Sequence, residues 1–294
     1  MILKRLGIIV CCLYGLGACT NHSSEDSKNH NNDTFNIKMW NGNRSEARQK
    51  HEMAVFREVL KNTSAEYGPY KIIEDTSEYR GKEEAFVFSK YNHDVFVTIA
   101  GNQKFDKDDK ISVNIPISKG ILGYRIAIVR QTDADLFAEA DSAKIKQLKN
   151  GVPISWSDAV IFRENGYRVV ENGNFGDILK RLENNEFDYT AFGANEVINI
   201  YETKAPEGLF IDNHVIFHYP FPLVFYINPN KEKLAERIKI GLKNIKKNGT
   251  LDSLFNAHYG ELTERLNLRQ RKILKLHNPM VPPEFDSTED FLVP

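Results

Sequence analysis

The sequence predicts an α/β protein of two lobes, with two parallel-dominated sheets flanked by helices and joined by two extended hinge crossings. Ile111, Val113, Ile115 and Ile117 alternate with Ser112, Asn114, Pro116 and Ser118, the period of a half-buried strand. After the Lys119-Gly120 break, Leu122 to Val129 is apolar and β-branched, as suits a strand covered on both faces. A second extended run, His214 to Ile227, comes after an intervening α/β block. Two crossings that bracket one block describe a lobe inserted into another, with a cleft between them as the working surface. The expected organisation is a leader over 1–19, a flexible tether over 20–33, the first part of lobe 1 over 34–120, lobe 2 over 121–217, the return to lobe 1 over 218–277 and a tail over 278–294.

The 294 residues are 41% hydrophobic and 27% charged, with a formal net charge of -1. That is enough chain for two core-bearing units. So even a balance leaves no electrostatic footprint for nucleic acid. Lys4 and Arg5 precede an apolar run from Leu6 to Leu16, too short to span a bilayer but right for a secretory signal. It ends in Leu16-Gly17-Ala18-Cys19, which resembles a bacterial lipoprotein lipobox; all three cysteines lie at or before that site. The resemblance implies acylation of Cys19 and a lipid anchor that needs no spanning helix. Thr20 in place of the aspartate of inner-membrane lipoproteins favours the outer over the inner membrane.

Residues 21–33 are polar and cannot bury a core. Thr34 to Trp40 reads as a strand, Ser45 to Thr63 as a helix with Met53, Phe56, Val59 and Leu60 on its buried face and Arg48 mostly off it. Strands at Tyr70 to Glu74 and Asp94 to Ala100, with a weak helix over Gly81 to Tyr91 between them, complete a βαβαβ lobe. Beyond the first crossing, helices are expected at Asp133 to Lys149, Ser155 to Glu164, Asn174 to Glu186 and Ala194 to Thr203. They alternate with strands at Gly151 to Ile154, Tyr167 to Val170 and Phe187 to Phe192. Ser155 with Asp158 is close to a capping box, and Asn174 is the expected N-cap of its helix. Lys231 to Lys247 is amphipathic and closed by Asn248-Gly249, helices continue through Leu276, and the proline-containing tail is an extended strap or a loose end.

Several side chains fall where a cleft would be. Trp40 and Asn41 end the first strand, where an aromatic ring can stack on a ligand or the turn can simply cap the helix. Ser155, Trp156 and Ser157 stand at a helix start, whose free N–H groups attract an anion, and Asn174 and Phe175 repeat the arrangement one helix later. Glu196, past a strand end, can receive a ligand ammonium group or stabilise the first turn of a helix. Lys119 and Arg125 flank the first crossing and can hold a carboxylate, and Tyr219 is a hinge or cleft residue. Asp106, Asp108 and Asp109 lack the glycine and closing acid of a calcium loop. The eight histidines show no metal-binding spacing, so neither metal nor cofactor is expected.

In order and spacing, Pro116 to Gly120 with Leu122 to Arg125, Trp156-Ser157-Asp158 with Asn165-Gly166 and Val169-Val170, Leu182 with Phe187-Asp188-Tyr189 and Glu196, His218-Tyr219-Pro220, and Leu254-Phe255 with His258-Tyr259-Gly260 are similar to bacterial periplasmic solute-binding proteins of the two-lobed type 2 class, including the amino-acid-binder branch called family 3. The resemblance covers Thr34 to Pro283. It implies a monomeric, non-enzymatic protein that closes by hinge bending on a small polar solute, for an ABC-type importer or a sensor receptor. Amino-acid binders of this class usually carry a threonine and then an arginine after the third strand to clamp the α-carboxylate. Here Asn102-Gln103-Lys104 stands in that region, so the clamp is missing or replaced by Lys104. Gly193 falls about where they tend to place the aspartate for the amine. Alternatives on the same scaffold are a periplasmic enzyme resembling dehydratases and a non-transport envelope interaction module.

Overall fold

The computed structural model describes residues 34–105, 110–138 and 140–285. The expected leader, tether, Cys19 anchor and Asp106, Asp108 and Asp109, with residues 286–294 of the tail, lie outside the described residues.

The first lobe begins with β1 (Phe35–Trp40), α1 (Glu46–Asn62), α2 (Ser64–Tyr67), β2 (Tyr70–Asp75), β3 (Val95–Ile99) and β4 (Ile111–Val113). The second contains β5 (Tyr124–Arg130), α3 (Ser142–Gln147), β6 (Lys149–Val152), α4 (Ser157–Glu164), β7 (Arg168–Glu171), α5 (Ile178–Glu183), β8 (Thr190–Gly193), α6 (Val197–Lys204), β9 (Leu209–Ile211) and β10 (Val215–His218). The chain returns through β11 (Leu223–Ile227), α7 (Glu232–Lys247), α8 (Thr250–Tyr259), α9 (Leu262–Arg265) and β12 (Lys272–Lys275). One sheet has the order β2-β1-β3-β11-β4, another β12-β10-β5-β8 with β9 beside β5, and β6 pairs with β7. Parallel pairing holds at β1–β2, β1–β3, β6–β7 and β10–β12. It yields to antiparallel pairing along β11 and β5, the strands that the crossings deliver, so the first sheet is evenly mixed and the second mainly antiparallel where two parallel-dominated sheets were expected.

Helix α1 forms because Ser45 accepts the Arg48 N–H as N-cap and because Val55, Phe56, Val59 and Leu60 bury one face. That face lies against α7. Gly241 of α7 permits the approach, since a β-carbon there would sit 2.7 Å from the Val59 backbone oxygen. The two crossings, 114–123 and 219–222, touch. Tyr219 donates its N–H to the Gly123 carbonyl at 3.2 Å, and a β-carbon on Gly123 would lie 2.0 Å from the Tyr219 oxygen. Only glycine fits. The largest apolar cluster runs through this junction by way of Ile117, Leu122, Tyr219, Phe221 and Leu223 and draws on both lobes. The lobes therefore share a hinge core instead of being packed separately.

Several expected elements differ from the structure. The helix expected to start at Ser155 with a Ser155–Asp158 box starts at Ser157 with Trp156 as an N-cap that makes no side-chain bond. Ser155 adopts φ 66, and Asp158 turns instead to Arg125, where a buried cation holds it more strongly than a backbone amide would. Asn174 is not an N-cap: its side chain accepts the Gly176 N–H in a local turn, and α5 begins later. Of the helix expected over 133–149, the described residues form α3 after a 3-10 turn that ends at Asp133, and Lys149 already belongs to β6. Residues 81–91 hold a short 3-10 turn in place of a helix.

The expected run of helices to Leu276 ends early, and β12 joins the second sheet beside β10. Residues 218–277 thus supply strands to both sheets. The tail then returns as a strap. His277 donates its N–H to Asn165 Oδ1, Asn278 Nδ2 donates to the Pro220 carbonyl, Asn114 Nδ2 donates to Glu284, and Phe285 is buried beside Trp40 and Phe96.

Candidate functional site

A gap of about 100 Å³ lies between the lobes. Its first-lobe wall comes from the β1–α1 turn (Trp40, Asn43, Arg44), the first turns of α1 (Ser45, Arg48), Glu84 and the end of β3 with Asn102 and Lys104. Its second-lobe wall comes from Arg125 on β5, from Trp156, Ser157 and Asp158 at the start of α4, and from Phe175 and Glu196, with Phe221 of the hinge at its floor. These positions are strand ends and helix starts, where backbone direction aims side chains across the sheet edge. A second space of about 190 Å³ is lined by Asn43, Glu84, Trp156 and Phe175 as well, and adds Tyr79, Arg80, Ser155 and Asn174. The two spaces adjoin through these four shared residues; the first is called the inner chamber and the second the outer one.

Ion pairs wall and back the inner chamber. Glu52, fully buried on α1, is held by Arg44 and, at 2.8 Å, by Arg48. Burial would raise its carboxyl, and the two guanidiniums outweigh burial, so its affinity for a proton falls below the ordinary range. Arg125 is 2% exposed. Its Nε donates to the Tyr219 hydroxyl at 2.9 Å, and its Nη2 meets Asp158 Oδ1 at 2.6 Å. Tyr219 donates in turn to the same Asp158 oxygen at 2.6 Å. Burial alone would lower the Arg125 pKa; Asp158, Tyr219 and Glu196 raise it, so it stays charged. Its Nη1, also buried, has no hydrogen-bond partner.

Glu196 stands between the two halves of this network, 3.7 Å from Arg48 Nη1 and 3.6 Å from Arg125 Nη1. Burial, with the Asp158 charge, raises its pKa against the pull of both arginines. Lys104 pairs with Glu84 at 2.6 Å. The walls carry both signs of charge beside aromatic faces, with Trp156 stacked on Phe175 at 5.8 Å. Such a surface suits a small solute bearing both an anionic group and an apolar or cationic part.

Of the residues singled out from sequence, Trp40, Arg125, Trp156, Ser157, Phe175 and Glu196 line the inner chamber, and Ser155 and Asn174 line the outer one. Tyr219 is fully buried behind Arg125 and positions it. Two candidates lie elsewhere. Asn41 is buried and donates to the Gln49 carbonyl and Glu74, because it closes the β1–α1 turn. Lys119 pairs with Asp252 at 2.7 Å over the Phe255 ring and lines a separate pocket behind the hinge.

Arg44, Arg48, Glu52 and Glu84 were missed. Arg48 follows helical spacing away from the apolar face, but near the start of α1 that polar side meets the cleft rather than solvent. Among the described residues no group of three or more His, Cys, Asp or Glu side chains could hold a metal ion, and no helix is long and apolar enough to cross a membrane.

No protein-family model matches the chain, and no curated protein matches it. Solved structures do. The probable amino-acid ABC transporter extracellular-binding protein ytmK of Bacillus subtilis superposes with a TM-score of 0.57 at 13% identity, over 78% of this chain and 99% of that one. An amino acid ABC transporter substrate-binding protein of Streptococcus pneumoniae, bound to L-arginine, gives 0.54 at 12% identity over 76% and 94%. The GluR0 ligand-binding core of Nostoc punctiforme, in complex with L-glutamate, gives 0.51 at 16% identity over 76% and 99%. At these identities the likeness is one of fold.

Proposed function

From the type 2 periplasmic-binding-protein fold that these structures share with the chain, we propose that it is an extracytoplasmic solute-binding lipoprotein. It captures a small polar solute, zwitterionic or anionic, between its lobes for an ABC permease or a sensor receptor. The observation that carries this reading is the Arg125 Nη1 group, a buried and charged donor without a hydrogen-bond partner, at a gap walled by both lobes. A donor of that kind is costly to leave unmade, and a ligand oxygen satisfies it. Anchoring through Cys19, a monomeric state and a place in the periplasm on the outer or inner membrane complete the reading. It accords with neighbours that are amino-acid binders of ABC importers.

A thermal-shift screen of amino acids, small carboxylates and short peptides, followed by calorimetry, tests it. One solute class should raise Tm and bind with one-to-one stoichiometry; no shift from any pool, with retention of an envelope protein instead, overturns it.

A second reading, a lobe pair that no longer takes solute and serves as an envelope interaction module, draws on the internal pairing of Lys104 with Glu84 and of Arg125 with Asp158. The same screen separates the two. A dehydratase-like enzyme gains less support, because the basic groups facing Glu196 are guanidiniums, which do not exchange protons near neutrality.

A further inference from the structure

We propose that Arg48 and Arg125 form an oxyanion subsite which Glu196 occupies with its own carboxylate, so that a solute carboxylate binds by displacing Glu196. The inference rests on the solute-binding reading and names the chemistry at the inner end of the same cleft.

Each guanidinium has one nitrogen left for the gap. Arg48 commits Nε and Nη2 to Glu52, at 2.9 and 2.8 Å. Arg125 commits Nε to Tyr219 and Nη2 to Asp158. The two remaining Nη1 groups come from opposite lobes and converge on the two oxygens of Glu196, at 3.7 and 3.6 Å. Both distances exceed the reach of a charge-assisted hydrogen bond, about 2.7–2.9 Å. Glu196 spans the pair and grips neither, because its backbone is fixed just before α6 by the bond from its N–H to the Gly193 carbonyl. A carboxylate free to settle can close on both nitrogens, and it inherits the cross-lobe link that Glu196 now makes to Arg48.

The displaced side chain has little to hold its charge. Around it stand Arg48 of α1, Arg125 of β5, Asp158 of α4 and Tyr259 of α8. Once a ligand anion neutralises the two nitrogens, what remains facing Glu196 is the Asp158 carboxylate, in a buried setting. Glu196 then takes a proton from solvent, so one proton is bound with each anion. Binding of an anion through this subsite strengthens as pH falls.

The test uses the full chain and its own fluorescence, since both of its tryptophans, Trp40 and Trp156, line the gap. Acetate is titrated into wild type, Glu196→Gln and Glu196→Asp. Methanesulfonate, whose charge is constant, is titrated into each over a pH series that descends from neutrality toward the ordinary carboxylate range. Glu196→Gln should bind acetate tighter than wild type by roughly tenfold, the factor that about 1.4 kcal/mol of lost competition makes, and should lose the pH dependence. Glu196→Asp, shortened by one methylene, should bind acetate with intermediate affinity and keep the dependence.

Unchanged or weaker acetate binding by Glu196→Gln overturns the displacement, as does absence of any acetate signal in all three proteins. Failure of the parent reading looks different: acetate behaves as described while no solute pool shifts Tm. A solute that binds tightly and is weakened by Glu196→Gln has the opposite meaning, leaving transport standing and removing the displacement.

Discussion

Helix α1 has a cluster of buried arginine at each end, and the two ends are built differently. At the C-terminal end, Arg237 of α7 is 1% exposed. It donates to Thr63 Oγ1 at 3.0 Å and to the carbonyls of Leu60 and Gly68 at 2.9 and 3.2 Å. Its acceptors are neutral, and two are carbonyls at or just beyond the helix end, where backbone oxygens lack intrahelical partners. Tyr67 and Tyr70 pack within cation–π range of it. At the N-terminal end, Arg44 and Arg48 share Glu52, and Arg48 reaches across the gap toward Glu196. The first cluster is closed on itself, while the second leaves donors facing a space that both lobes wall. Burial of an arginine does not by itself mark a site; a buried arginine with an uncommitted donor at an interlobe gap does.

Removing Arg237 should have the largest effect on stability. Arg237→Met strands the Gly68 carbonyl, at roughly 1–3 kcal/mol, and takes one partner each from the Leu60 carbonyl and the Thr63 hydroxyl, at about 1 kcal/mol apiece, so urea denaturation should show a loss of about 3 kcal/mol or more. The folded fraction should bind solute as wild type does. A matching loss of affinity would dissolve the distinction between the two ends.

Acid probes the middle of the same helix. His51 on α1 is fully buried, and burial lowers its pKa to about 4 although its Nε2 bonds the Ile117 carbonyl at 2.9 Å. The unfolded chain takes up a proton near 6.5 where the folded one does not. The contribution is therefore complete above the unfolded value and lost as pH falls toward the folded one. At 1.36 kcal/mol per unit the loss is about 3 kcal/mol. His218, also lowered to about 4 by burial and by the Lys275 charge, acts in the same direction. Denaturation across that range should show the fall, and His51→Gln should remove about half of it, leaving the His218 part; a flat wild-type profile would contradict the assignment.

At the hinge, Gly123→Ala sets a β-carbon against the Tyr219 oxygen. The cost should be about 1–3 kcal/mol, as for an overpacked core, with a changed rate of closure in stopped-flow fluorescence. The open cluster should lose affinity more than stability. Arg48→Met leaves Glu52 Oε2 paired with Arg44 but strips Oε1 of both Arg48 bonds, so it should cost about 1–3 kcal/mol and weaken an anionic solute by roughly tenfold or more. An equally large loss in stability with unchanged affinity would reverse the roles given to the two ends.

Much of this was legible in the sequence. The alternation of Phe35, Ile37 and Met39, the apolar stripe of α1 and the two β-branched crossings each state their structure locally, so the first lobe and the hinge could be read. Lys272 to Lys275 could not, since a four-residue strand with one buried side chain carries no pattern to set against the helices before it. At the site, Trp156, Phe175 and Glu196 were legible because strand ends and helix starts face a cleft in this architecture. Arg125 was visible as a residue, but its partners Asp158 and Tyr219 stand far along the chain and are joined to it only by folding. Arg48 was hidden for a different reason. Helical periodicity separates apolar from polar faces and cannot tell a polar face in water from one in a cleft.

The most direct measurement is calorimetry of the wild-type chain against the solute class that the thermal screen selects, repeated with Arg48→Met and Arg237→Met. One solute per chain should bind, with affinity much reduced by the first substitution and kept by the second. Binding with more than one site, binding indifferent to Arg48, or no heat from any small solute would contradict a cleft that closes on one charged ligand.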